Sequence, residues 1–134
     1  MRFLYKGKDG GSESNVTGYW LVEIKSLFSI AILRFGEGSR EMQHNHAFNS
    51  LSWMLSGLCV EEVVTDTTVE YSYLYPSVSP IYTSRERMHR VVGLSKTSWF
   101  ITFRGPWSKT WKERDPKSGA TTTLTNGRRL VIHD

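Results

Sequence analysis

The chain is short of most features that would place it at a glance. Cysteine occurs once, at Cys59, so no internal disulfide can form and a reducing cytoplasm is the expected compartment. No stretch approaches the ~18 apolar residues of a membrane span, and the opening MRFLYKGKDGGS lacks the apolar core of a secretory signal. Capped segments with a 3.6-residue apolar period are missing, which argues against a helical bundle. Repeats and low-complexity tracts are missing too. Charge of one sign is never concentrated, although the net charge is +4 and the pI near 9.3. The densest basic groups, Arg85 and Arg87 with Arg90, and Lys109 to Arg114, are interrupted by acids. That pattern reads as solvated surface and speaks against nucleic acid as a partner. A nucleotide- or nucleic-acid-binding barrel rests on the pI alone, and salt-dependent retention on an anionic matrix would test it.

What the chain does have is aromatic and β-branched residues: five Trp, six Tyr and six Phe among 134 residues. That bias favours sheet, and the length suits one domain spanning 1–134 with a single core. Read in order, Arg2 to Tyr5 is a short strand and Lys6 to Asn15 a Gly-rich loop, making residues 1–18 a partly flexible N-terminal segment. Tyr19 to Ile24 and Leu27 to Phe35 are strands, the second continuous enough to be buried on both faces. Leu58 to Val64 and the Tyr-rich Val69 to Tyr75 follow, and then an irregular piece between Pro76 and Pro80. Met88 to Val92 is a short strand, Thr97 to Arg104 alternates as another, and Trp107 to Glu113 leads to a turn at Asp115 to Gly119. Residues 120–134 form a hairpin around Asn126-Gly127, a pair suited to the positive φ of a tight turn. About ten short strands of this kind imply an all-β barrel or sandwich.

The stretch from Gly38 to Gly57 holds two of the four histidines. If it is one strand, His44, His46, Phe48, Ser50, Ser52 and Met54 share a face, because the side-chain period of a strand is two. Ala47, Leu51, Trp53 and Leu55 face the other way, and Gln43, by the same parity, points away from the histidines and is given no role. Two imidazoles on one face can take neighbouring positions around one metal ion. A third ligand would come from His89, on its own strand, since His133 sits at the fraying C-terminus and reads as surface.

The spacing resembles the cupins. Their first motif runs Gly, five residues, His-x-His, three or four residues, Glu, six residues, Gly. Here Gly38 is followed by five residues, His44-Asn45-His46, three residues, Ser50, six residues and Gly57, so one residue departs: Ser50 stands in the place of the ligand glutamate. His89 matches the second motif's histidine, with Ser84, Glu86 and Gly93 where that motif has Pro, Gly and Asn. The resemblance covers roughly residues 25 to 112. More narrowly, the chain is similar to small cupin-like proteins of phage and bacteria, which share Leu55-Ser56-Gly57 to Glu61-Glu62, His89-Arg90, and Gly105-Pro106 to Trp111.

The resemblance implies a single-domain double-stranded β-helix, a jelly-roll barrel, paired as a homodimer, with a divalent metal on His44, His46 and His89. Fe(II) comes first, with Zn, Mn or Ni as alternatives. Losing the glutamate leaves a three-histidine site of the kind seen in thiol dioxygenases, and His46 in the slot where a 2-oxoglutarate oxygenase wants a carboxylate argues against that chemistry. Three neutral imidazoles leave the metal's +2 charge uncompensated, which favours an anionic small-molecule ligand. Arg34 and Arg104 are candidates to capture it, with Arg90 as a further strand arginine, while Ser50 and Tyr73 are further candidate pocket residues. Most aromatics, among them Tyr75, Trp53, Trp99 and Trp107, are expected in the core, and Cys59 is expected to be buried and inert. Two readings follow: a metal-dependent enzyme, dioxygenase-like or an isomerase or hydrolase, or a non-enzymatic module that binds a small ligand or another protein.

Overall fold

A computed structural model describes residues 1–9, 14–38, 43–65, 68–108, 110–115, 117–125 and 130–133, with side chains placed except at 125 and 130–133. These residues form twelve strands and no helix, so none is long and apolar enough to cross a membrane. The strands are β1 (Arg2–Lys8), β2 (Val16–Ile24), β3 (Phe28–Gly38), β4 (Gln43–His44), β5 (Ser50–Ser56) and β6 (Cys59–Val64). After them come β7 (Val69–Leu74), β8 (Ile81–Thr83), β9 (Met88–Arg104), β10 (Thr110–Arg114), β11 (Thr121–Thr125) and β12 (Leu130–His133).

Every strand pairing among the described residues is antiparallel, and β9 organises them. Its C-terminal half lies between β3 and β5, giving one row β1-β2-β3-β9-β5-β8. Its N-terminal half lies between β4 and β6, giving a second row β7-β6-β9-β4-β10-β11-β12. One long strand thus belongs to both halves of a curled, jelly-roll sheet. The sequence reading divides β9 into two strands, Met88 to Val92 and Thr97 to Arg104, whereas the structure runs straight through. A Cβ at Gly93 would lie 2.2 Å from the Gly36 carbonyl oxygen, so glycine is there for close strand approach and not for a break.

The neighbours of β9 do break. Gly38 and Gly57 have φ of +83° and +96°, and at these points the chain leaves the row of β3 and of β5 for that of β4 and of β6. The anticipated continuous histidine strand is accordingly two strands, β4 and β5, joined by an irregular segment at 45–49.

The core gathers Trp20, Ala31, Leu33, Met54, Cys59 and Phe100. Strand β3 alternates instead of being buried on both faces: Ser29, Ala31 and Leu33 are buried while Arg34 is exposed. The N-terminal loop is shorter than expected, because residues 6–8 continue β1 and pair with β2. The Tyr-rich strand is not core: Tyr71, Tyr73 and Tyr75 stand 66%, 67% and 62% exposed on β7 and just past it. Among the described residues β7 pairs with β6 alone, and Val69 to Tyr73 are all exposed. The C-terminal hairpin is present as β11 against β12, with Leu124 opposite Leu130. Its Asn126-Gly127 turn lies outside the described residues, and so does the side chain of His133.

Candidate metal centre

Strands β4 and β9 place His44 directly opposite His89. Facing residues in an antiparallel pair bring their Cβ atoms within about 5.5 Å, so the two rings meet by register alone. His46 joins them from the irregular segment, which two asparagines clamp. Asn45 donates its backbone N–H to the Lys112 carbonyl and accepts the Lys112 N–H on its side-chain oxygen. Asn49 accepts the Arg85 N–H on its side chain and the Gly105 N–H on its carbonyl. The three ring centroids form a near-equilateral triangle of 4.9, 5.0 and 4.9 Å. One nitrogen from each lies within 4.8 Å of the others, close enough for the three to converge on one ion.

His89 shows the arrangement most clearly. It is 6% exposed, and its Nδ1 lies 2.8 Å from a carboxylate oxygen of Glu61. Its Nε2 is buried with no hydrogen-bond partner among the described residues. A carboxylate on one ring nitrogen sets the tautomer and presents the other nitrogen as a lone-pair donor. Glu61 also reaches Arg87 at 3.5 Å. Burial works to raise its carboxyl, but the hydrogen bond and charge of His89, with the charge of Arg87, outweigh burial and hold it below the ordinary glutamate range.

The histidines line a cavity of about 180 Å³ whose wall includes Leu33, Phe35, Phe48, Leu74, Val91 and Phe100. Its polar groups include Asp9, Ser52, Glu61, Thr83 and Arg104, with Trp107 and Trp111 alongside. The predicted site residues divide here. His44, His46, His89 and Arg104 come together on this wall. Ser50 does not line it, being half-buried opposite Thr83 and Arg104, and the wall carries Ser52 instead. Arg34 is exposed, because Leu33 and Phe35 on either side of it face in. Tyr73 faces out for the same reason, next to the inward Leu74. Gln43, given no role above, is 3% exposed and donates to Glu62 while accepting from Arg114 at 2.8 Å. Glu62 in turn holds Arg90 at 2.8 Å, which takes that arginine to the opposite face from the histidines. Cys59 is fully buried as expected, and burial raises its thiol against a lowering hydrogen bond with Ser98.

Glu61 and Asp9 are the residues that sequence reasoning missed. A signal for Glu61 was available, since two adjacent glutamates in an apolar strand cannot both face outward. Asp9 carried none: its place at the cavity depends on the β1–β2 pairing.

No family model and no curated protein matches the sequence. Solved structures do match in fold. A sugar phosphate isomerase of the cupin superfamily from Silicibacter pomeroyi aligns with a TM-score of 0.61 at 11% identity, over 89% of this chain and 76% of that one. The iron(II) form of HppE aligns with a TM-score of 0.58 at 12% identity, over 70% and 53%. Oxalate decarboxylase from Bacillus subtilis aligns with a TM-score of 0.56 at 13% identity, over 71% of this chain and 26% of that longer one.

Proposed function

We propose that this chain, a jelly-roll barrel of the cupin fold, holds one divalent metal ion on His44, His46 and His89 and binds a small molecule beside it. The observation that carries the reading is His89 Nε2, buried and without a hydrogen-bond partner while Glu61 occupies Nδ1. Leaving a buried polar atom unsatisfied costs about 1–3 kcal/mol, and a core histidine with no ligand to bind would bear that cost for nothing. A metal ion removes it.

An all-imidazole set suits Fe(II), Zn or Ni, and Mn, which prefers oxygen ligands, less well. When bound, such an ion supplies Lewis acidity, and Fe(II) adds oxygen chemistry, so dioxygenase-like, isomerase and hydrolase activities all lie within reach. The neighbours in fold include an iron(II) protein and a sugar phosphate isomerase, which support a metal-dependent small-molecule enzyme without selecting the reaction. The chain's own residues position and enclose. Glu61 orients His89, Asn45 and Asn49 hold the segment bearing His46, and Phe48, Phe100 and Trp107 wall the cavity against water.

One observation favours the second reading, a binding module without turnover. The two carboxylates on the described cavity wall, Asp9 and Glu61, are both already engaged, so neither stands ready as a general base.

The test is metal content by mass spectrometry on untagged, chelator-free protein, with His44→Ala and His89→Ala as folded controls by circular dichroism. About one equivalent of a single metal is expected in the wild type, as one three-histidine site requires, and its loss in both variants. A wild type that takes up no stoichiometric metal after reconstitution with Fe(II), Mn, Ni and Zn sinks the proposal. Turnover of small anionic substrates by the loaded protein then separates enzyme from binding module.

A further inference from the structure

Arg104 ends β9 with its side chain only 4% exposed. The guanidinium lies 4.6 Å over the Phe48 ring and 5.9 Å from that of Trp20. Its two terminal nitrogens hold both oxygens of Asp9, Nη2 to Oδ2 at 2.6 Å and Nη1 to Oδ1 at 3.3 Å. This is the two-pronged geometry in which arginine grips a carboxylate.

As a structural tie the pair is an expensive choice. Burying a guanidinium carries a desolvation penalty, and an apolar side chain among Phe48, Trp20 and the core would pack there without it. The pair is also lopsided. Arg104 is buried, but Asp9 keeps 28% of its side chain exposed and reaches in from the end of β1, 95 residues away in sequence. Donors are left over as well: Arg104 Nε and Trp107 Nε1 are both buried without acceptors among the described residues. Both residues line the cavity that the three histidines line.

We propose that Arg104 is the anchor for the carboxylate of a small ligand in this cavity, and that Asp9 occupies the anchor until the ligand displaces it. Either carboxylate keeps the buried guanidinium neutralised, so the exchange leaves no uncompensated charge. Asp9, already partly hydrated, is the member that leaves for water at least cost. The ligand is therefore a small carboxylate, sized to about 180 Å³ and lying on the histidine side of Arg104. The inference rests on the cavity being a ligand site, as proposed above, but not on the metal.

Sodium acetate is the probe, titrated into metal-free protein while the Arg104 Nε–H signal is followed by NMR. Sodium chloride at equal ionic strength and acetamide serve as controls. Acetate should saturate the wild type and bind about tenfold more tightly to Asp9→Asn, because removing a built-in competitor raises the competent fraction. Arg104→Gln should abolish saturation; should that variant not fold, the Asp9→Asn comparison decides alone. Equal acetate affinity in folded wild type and Asp9→Asn, or no saturation beyond the chloride control, overturns the proposal. Inorganic phosphate binding more tightly than acetate overturns its carboxylate assignment. The titration is run on metal-free protein and reads only Arg104 and Asp9, so it stands or falls separately from the metal-content measurement above.

Discussion

At the scale of single residues, the motif's missing ligand and the structure's extra carboxylate belong together. Ser50 stands where a cupin glutamate would bind metal, while Glu61 reaches the same cluster through His89. A carboxylate moved from the metal to its ligand changes role: it orients and polarises the imidazole and leaves a coordination position open. Glu61→Gln keeps the shape and removes the charge. Its metal affinity, measured by chelator competition, should fall about 10- to 100-fold, and the metal-free protein should also lose some stability at pH 7, because the lowered carboxyl stabilises the fold there. Lower metal-free stability with undiminished affinity would instead make Glu61 a purely structural partner. The histidines stand out by spacing, whereas Arg104 is one of three strand arginines that the sequence leaves undistinguished. Arg34 and Tyr73 were misjudged because one side-chain alternation decides between wall and surface, and the sequence does not mark which parity faces in.

At the scale of elements, two glycines route the chain past β9. Gly57 sits at φ +96°, and a Cβ there would lie 2.3 Å from Ser98 Oγ and 2.7 Å from its Cα. Backbone atoms cannot yield as a flexible side-chain tip can, so Gly57→Ala combines a strained φ with a steric clash. The expected cost is about 2–3 kcal/mol, read by urea denaturation. A variant as stable as wild type would show that the β5–β6 bend tolerates a side chain. Gly57 is legible as a strand end, whereas nothing local explains Gly93. Its reason is the close approach of the Gly36 carbonyl across the β3–β9 pairing, which no local pattern announces.

For the molecule as a whole, the face away from the histidines carries a buried polar tie across four strands: Glu62 of β6, Arg90 of β9, Gln43 of β4 and Arg114 of β10. Burial pushes the Glu62 carboxyl up, but hydrogen bonds from Gln43, Arg90 and Tyr71 and the Arg90 charge win and hold it below the ordinary range. A carboxyl lowered by folding stabilises the fold above its unfolded value, about pH 4.3 for glutamate. That contribution is lost as pH falls through the lower folded value. Wild-type stability should therefore drop on acidification below about pH 5, and Glu62→Gln should show a shallower drop in that window while being less stable at pH 7. Thermal midpoints measured across the acid range check this, and an identical slope in the variant would place the acid sensitivity elsewhere.

The sequence alone determined the all-β class and singled out His44 and His46 with their flanking glycines, and His89 beside them, because strand propensity and motif spacing are local properties of the chain. Tertiary structure decided that β9 serves both halves of the sheet, that Gln43 and Glu62 share a buried tie, and that Asp9 meets Arg104. Those relations join residues far apart in the chain, and they exist only once strand register has brought the partners face to face.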